Sequence, residues 1–135
     1  MAALEPTLSE LDVETAGYDR MTLTLALGYG GRQELVDGVR RLAAAVQEGR
    51  LRPEEIDESA IRGALYAPDI PDPDLLIRTS GEQRLSNFLL WQLSYTEIYV
   101  TQKLWPDFSR EDLQEALADY ERRERRFGRV GIATV

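Results

Sequence analysis

DLLIRTSGEQRLSNFLLWQ, Asp74 to Gln92, is the stretch on which the reading of this chain turns. A short apolar run, Leu75 to Ile77, ends in Arg78. Thr79, Ser80 and Gly81 follow, then Arg84 and Ser86, before apolar residues return. In α/β folds, ligands bind beyond the carboxyl ends of the strands. Glycine lets the backbone come close to a ligand, hydroxyls and amides donate to oxygens, and guanidinium forks grip phosphate bidentately. The loop is therefore composed like a diphosphate clamp. A structural reading competes with it: Arg78 and Arg84 pair with Asp72, Asp74 or Glu82 and shape the turn. On the residues alone the two readings stand level.

Outward from that loop, strand and helix patterns alternate. MTLTLAL, 21 to 27, alternates and reads as a strand. GYGGR follows it, then a helix carrying Leu35, Val36, Val39, Leu42, Ala43 and Val46 at helical spacing, with Gly49 as its C-terminal cap. Pro53 to Leu65 reads as a second helix, with Asp57 as N-cap and Ile61 and Leu65 facing inward. PDIPDPD is a loop, because its prolines fit neither a helix nor a central strand. LLIRT and EIYVT, 97 to 101, read as strands, and LSNFLLWQ between them as a helical turn or short helix. Ser109 and Asp112 form a cap before a last helix whose apolar face is Leu113, Ala116, Leu117 and Tyr120, and which Gly128 ends. This order predicts an α/β fold, a parallel β-sheet flanked by helices. Three strands make a thin sheet with open edges. The chain then pairs with something or forms part of a larger domain.

Composition narrows the chemistry. The 135 residues suit one small domain. No apolar run approaches the ~20 residues of a membrane helix, and the start does not read as a signal peptide. There are no cysteines, which removes disulfides and thiolate metal sites and fits a cytoplasmic chain. There are no histidines, which removes imidazole acid–base chemistry. A net charge of −8 argues against nucleic acid as a partner. Positive charge is local: Arg78 and Arg84 flank one loop, and Arg122, Arg123, Arg125, Arg126 and Arg129 crowd the C-terminus. Concentrated arginine on an acidic chain points to small anionic ligands such as phosphates.

Three further features have two readings each. GYGGR could bind an anion at a helix N-terminus, but it has neither the P-loop Lys-Ser/Thr nor GxGxxG spacing; a tight turn is the stronger reading. Glu97, near Tyr95 and Tyr99, could ligate Mg²⁺, although one carboxylate does not make a site and a strand-edge charge is favoured on the residues alone. The ERRERRFGR run is a basic helix end suited to the helix dipole, or an arm reaching a neighbouring subunit's phosphate. Trp91 and Trp105 read as core or interface residues.

PDPDLLIRTSGEQRLSNFLLWQLSYTEIYVTQKLWPDF, followed by ERRERRFG, closely resembles the C-terminal half of the cis-prenyltransferases, the undecaprenyl diphosphate synthase family. MTLTLALGYGGRQELVDGVRRL resembles that family's middle section, so the likeness runs from about residue 15 to residue 129. The resemblance implies condensation of isopentenyl diphosphate with an allylic diphosphate such as geranyl or farnesyl diphosphate, with Mg²⁺. It implies that Arg78, Arg84 and Ser86 hold the isopentenyl diphosphate, supported by Asp74, Gly81 and Glu82. Glu97 is implied at the metal, and Arg126 with Gly128 in a contact across a homodimer to the partner's substrate. It raises the clamp reading above the structural one and reverses the preference at Glu97. Some family members carry His where this chain has Gln83, and Asn where it has Gly28.

The family's N-terminal Asp-Gly-Asn-x-Arg-Trp signature, with its main Mg²⁺ ligand and its allylic diphosphate loop, has no counterpart here. Residues 1–135 are therefore expected to be the C-terminal portion of one cis-prenyltransferase domain, inactive until paired with an N-terminal half. Membrane association is expected only peripherally, through the lipid product. The alternative is a non-catalytic partner subunit or assembly module of a two-chain cis-prenyltransferase. The retained Arg78–Ser86 clamp fits that alternative poorly.

Overall fold

The computed structural model describes residues 4–124. The expected strands around the clamp loop form: β1 (Leu75–Arg78) and β2 (Glu97–Val100) pair in parallel, with Leu75 opposite Glu97 and Arg78 opposite Val100. Helices precede and follow them: α1 (Glu5–Thr15), α2 (Gly31–Gln47), α3 (Glu58–Gly63) and α4 (Arg110–Glu121). Alternation along the strands sets two faces. Leu76, Arg78, Ile98 and Val100 share one, and Leu75, Ile77, Glu97 and Tyr99 the other. None of the helices among the described residues is long and apolar enough to cross a membrane.

Local signals fix the helix ends. The Ser109 hydroxyl accepts the Asp112 N–H while the Asp112 carboxylate accepts the Ser109 N–H, a reciprocal cap that starts α4. Asp57 accepts the Ala60 N–H at 2.8 Å and starts α3, preceded by a 3₁₀ turn at Pro53–Glu55. Gly49, at φ +70°, closes the end of α2.

Four expectations fail. Pro53 to Leu65 is not one helix but a 3₁₀ turn followed by the short α3, and α4 ends at Glu121 rather than at Gly128. Residues 21–27 form no strand among the described residues. Met21 is 81% exposed and Leu23 75%, so the alternating pattern has no sheet face to cover it. The sheet therefore has two strands rather than three. In α2, Val36 and Val39 are exposed, and the buried positions are Gly31, Glu34 and Gly38. At Gly38 a Cβ would lie 3.3 Å from the Ala64 carbonyl oxygen, so the small residue lets α2 approach the end of α3. Ala64, Leu65, Leu93 and Ala116 are the buried apolar residues. Trp91 is half-buried, whereas Trp105 is exposed and stacks on Phe108.

Candidate functional site

Arg78 ends β1, and its backbone carbonyl accepts the Thr101 N–H at 2.8 Å. The loop that follows is tied back to the segment after β2. The Ser80 N–H donates to the Lys103 carbonyl at 2.7 Å and the Gly81 N–H to the Thr101 carbonyl at 2.8 Å. Gly81 sits at φ +68°, and a Cβ there would meet the Gln102 side chain at 2.5 Å. Ser80, Ser86, Asn87 and Leu89 also take positive φ, between 43° and 63°. Non-glycine residues adopt that region at a cost and need surrounding structure to hold them there.

Asn87 provides much of that hold. Its carbonyl accepts the Gly31 N–H at 2.7 Å, and its Oδ1 accepts the Arg32 N–H at 2.9 Å. Two donors at the N-terminus of α2 are thus taken by protein, and GYGGR is a turn on which the clamp loop docks, although no strand of the described residues leads into it as the strand-to-helix reading expected. The approach is close: a Cβ on Gly31 would lie 2.9 Å from Leu90 Cγ and 3.2 Å from the Asn87 oxygen. Gly31→Ala is expected to lower stability by about 1–2 kcal/mol. Overpacking of about 1–3 kcal/mol outweighs the helix-propensity gain of up to ~1 kcal/mol. A urea midpoint at or above the unsubstituted chain's would overturn this. Gly28 also takes positive φ, +65°, a region glycine enters freely and asparagine more readily than other side chains.

The clamp residues open on a pocket of about 290 Å³ lined by Leu76, Arg78, Gln83, Arg84, Leu85, Ile98 and Val100. One side is cationic and amide, the floor aliphatic. Arg78 Nη2 lies 3.5 Å from Ser86 Oγ, at the edge of hydrogen bonding, and Arg78 Nε is buried with no hydrogen-bond partner. Buried guanidinium N–H groups rarely stay unpaired, so this one marks a place for an acceptor. Arg84 is largely exposed and pairs with Glu82 at 2.5 Å. The structural reading thus holds for Arg84, while Arg78 keeps a donor in hand. Asp72 pairs with Arg62, and the Asp74 carbonyl accepts the Glu97 N–H at 3.1 Å.

Glu97 lies elsewhere. It starts β2 on the sheet face opposite Arg78, and its carboxylate accepts Arg123 Nη1 at 2.8 Å. Among the described residues no group of three or more His, Cys, Asp or Glu is arranged to hold a metal ion. These residues do not fit a self-sufficient Mg²⁺ site. Arg126 and Gly128 lie outside the described residues.

Sequence reasoning missed Glu34, the one buried charged residue among those described, 2% exposed. Its carboxylate accepts the Tyr29 hydroxyl, the Tyr66 N–H at 3.0 Å and the Gln92 amide at 3.2 and 3.3 Å. Burial first, and then the hydrogen bond and charge of Glu34, push the Tyr29 phenol well above its ordinary range. Tyr29 packs edge-on against both Tyr66 and Phe88. Glu34 therefore joins α2, the end of α3 and the far end of the clamp loop.

Known proteins resemble this chain in sequence and in fold. The sequence profile of a prenyltransferase family described as "Putative undecaprenyl diphosphate synthase" matches residues 2–128. The chain is 52% identical over 125 residues to an isoprenyl transferase of Heliobacterium mobile, covering 93% of this chain and 48% of that protein. It is 49% identical over 127 residues to a ditrans,polycis-undecaprenyl-diphosphate synthase, (2E,6E)-farnesyl-diphosphate specific, of Xanthomonas axonopodis pv. citri, covering 94% of this chain and 49% of that one. The crystal structure of lavandulyl diphosphate synthase from Lavandula x intermedia, in complex with dimethylallyl diphosphate, superposes with a TM-score of 0.89 at 45% identity, over 96% of this chain and 56% of that one. The chain spans about half the length of the relatives it matches. With a profile match across nearly all of its residues and a superposable fold at 45% identity, the chain belongs to the undecaprenyl diphosphate synthase family of prenyltransferases.

Proposed function

We propose that this chain serves cis-prenyl chain elongation, supplying the site for isopentenyl diphosphate. The observation that carries the reading is the buried, unpartnered Arg78 Nε beside a pocket with a cationic side and an aliphatic floor. Such a pocket suits a small amphiphile, a diphosphate head on a short branched hydrocarbon. Arg78 and Arg84 bind the diphosphate, and Ser86 and the amide of Gln83 add donors. Leu76, Leu85, Ile98 and Val100 cover the hydrocarbon and exclude water, which strengthens the charged hydrogen bonds at the head. In the reaction the allylic carbon–oxygen bond breaks and diphosphate leaves with the electron pair. The isopentenyl double bond attacks the allylic carbon, and loss of a proton closes the new cis double bond. This chain's part is to hold the nucleophile's head so that its double bond faces the allylic carbon.

Mg²⁺ belongs to this proposal through the substrates, since diphosphate oxygens are the hard ligands it prefers. No step here is assigned to it. Pairing with a second chain, as a homodimer or with an N-terminal half, belongs to the same proposal, as do an allylic diphosphate such as geranyl or farnesyl diphosphate and a cytoplasmic setting.

A labelled isopentenyl diphosphate incorporation assay with farnesyl diphosphate and Mg²⁺ tests the reading. The 135-residue chain alone is expected to be inert, and to gain incorporation when the N-terminal half of a full-length relative is added. Incorporation by the chain alone, or none after addition of a folded half that binds it, would count against the division of labour.

A further inference from the structure

Arg123 is the hub of a small ionic cluster at the end of α4. Its Nη1 donates to Glu97 Oε2 at 2.8 Å and to the Ile98 carbonyl at 3.1 Å. Its Nε and Nη2 donate to Asp119 Oδ2 at 2.9 and 2.5 Å. Two carboxylates from different elements thus share one guanidinium. The side chains of Arg123 and Glu97 are 29% and 31% exposed, so the pair is partly withdrawn from water. Further negative charge surrounds it: burial and the acidic face of α4, at Glu115, Asp119 and Asp112, raise the Tyr99 phenol on the neighbouring strand position. An Arg at this point completes the end of the helix, and its fork matches the two carboxylates better than a point charge would.

We infer that Arg123 occupies the place a cation would take between Glu97 and Asp119, so that Glu97 acts as one half of a latch joining α4 to the start of β2 and not as a divalent-cation ligand. Three observations support this. Glu97 already has a cationic partner, it lies on the sheet face opposite Arg78, and its strand start is also fixed by its own N–H to Asp74. A cation reaching Glu97 would have to displace Arg123 from it, leaving that guanidinium's Nη1 only the Ile98 carbonyl and its charge balanced by Asp119 alone. The latch concerns packing within this chain and does not rest on the proposed function.

Mn²⁺, whose free form is visible by electron paramagnetic resonance, serves as the probe. The 135-residue chain, E97Q, R123Q and the double variant are titrated and melted. Wild type and E97Q are expected to give superimposable Mn²⁺ curves. E97Q and R123Q should each lower the melting temperature by a few degrees, with the double variant no lower than R123Q alone. A Mn²⁺ site present in wild type and lost in E97Q would overturn the inference, as would melting losses that add in full or an E97Q melt equal to wild type. Should R123Q fail to fold, R123K, which keeps the charge but not the fork, should show the same coupling at a smaller shift.

Discussion

Replacing Glu34 by alanine is expected to cost on the order of 3–5 kcal/mol, a large share of the roughly 5–15 kcal/mol that holds a small domain folded. The carboxylate is buried, and its partners are neutral donors: the Tyr29 hydroxyl, the Tyr66 N–H and the Gln92 amide. Alanine leaves all of them without an acceptor in a place water does not reach, at about 1–3 kcal/mol for each group that stays unpaired, and adds a cavity. Glu34→Gln keeps the volume and one acceptor oxygen, but its amide must turn one donor toward another donor. It should cost less, about 1–2 kcal/mol. Urea denaturation of both variants checks the order. An alanine variant within 1 kcal/mol of wild type would sink the account.

The same cluster sets a pH dependence. The Tyr29 phenol is raised in the folded chain above its unfolded value near 10. The unfolded state therefore loses its proton first as pH rises. Stability from this group is whole below pH ~10 and falls as pH climbs through the alkaline range toward the folded value. Tyr29→Phe should flatten the stability slope above pH ~10 by about one proton, against a background that retains Tyr66 and Tyr99, both also raised.

Local features of this fold were legible in the sequence, and distant ones were not. Ser109 with Asp112, Asp57 and Gly49 are local signals, and each ends or starts a helix where its chemistry requires. LLIR and EIYV carry strand patterns and found each other, since the intervening loop returns the chain to the same sheet. MTLTLAL carries as good a pattern and forms no strand, because a strand exists only with a partner. The buried face of α2 was misread for a related reason. Of the periodic residues Leu35, Leu42 and Val46 are half-buried while Val36, Val39 and Ala43 are exposed, and the fully buried positions, Gly31, Glu34 and Gly38, are invisible to a hydrophobic pattern. A glutamate three residues after a helix-starting glycine is the only trace Glu34 leaves, and in most helices that residue faces water. At the site, residue types suggested a clamp, but the division between Arg78, with an unpartnered donor, and Arg84, engaged by Glu82, needed coordinates. The docking of Asn87 on Gly31 and Arg32 spans segments more than fifty positions apart, and no local rule reaches that far.

That division yields the second large effect. With an N-terminal half supplied and incorporation established, Arg78→Ala is expected to lower kcat/KM for isopentenyl diphosphate by roughly 30- to 1,000-fold, about 2–4 kcal/mol of transition-state binding. Arg78 ends a hydrogen-bonded strand, its guanidinium is partly buried beside Ser86, and its Nε has nothing to donate to within the protein. A group held this way reorganises little when an anion arrives, so its full charge-assisted bond goes into binding. Arg78→Lys keeps the charge but loses the fork, and should fall between alanine and wild type. Arg84 must first leave Glu82 and gather an exposed side chain, so Arg84→Ala should cost less than Arg78→Ala. Glu82→Gln should free Arg84 and lower the KM for isopentenyl diphosphate if Arg84 binds it. Urea midpoints of the same variants separate lost binding from lost folding: Arg78→Ala should retain the wild-type midpoint or exceed it, since it removes a buried donor with no partner. If Arg78→Ala leaves kcat/KM unchanged, the clamp is not where the diphosphate sits. If Arg84→Ala proves the more damaging, the exposed arginine carries the head and the buried Nε is a packing residue.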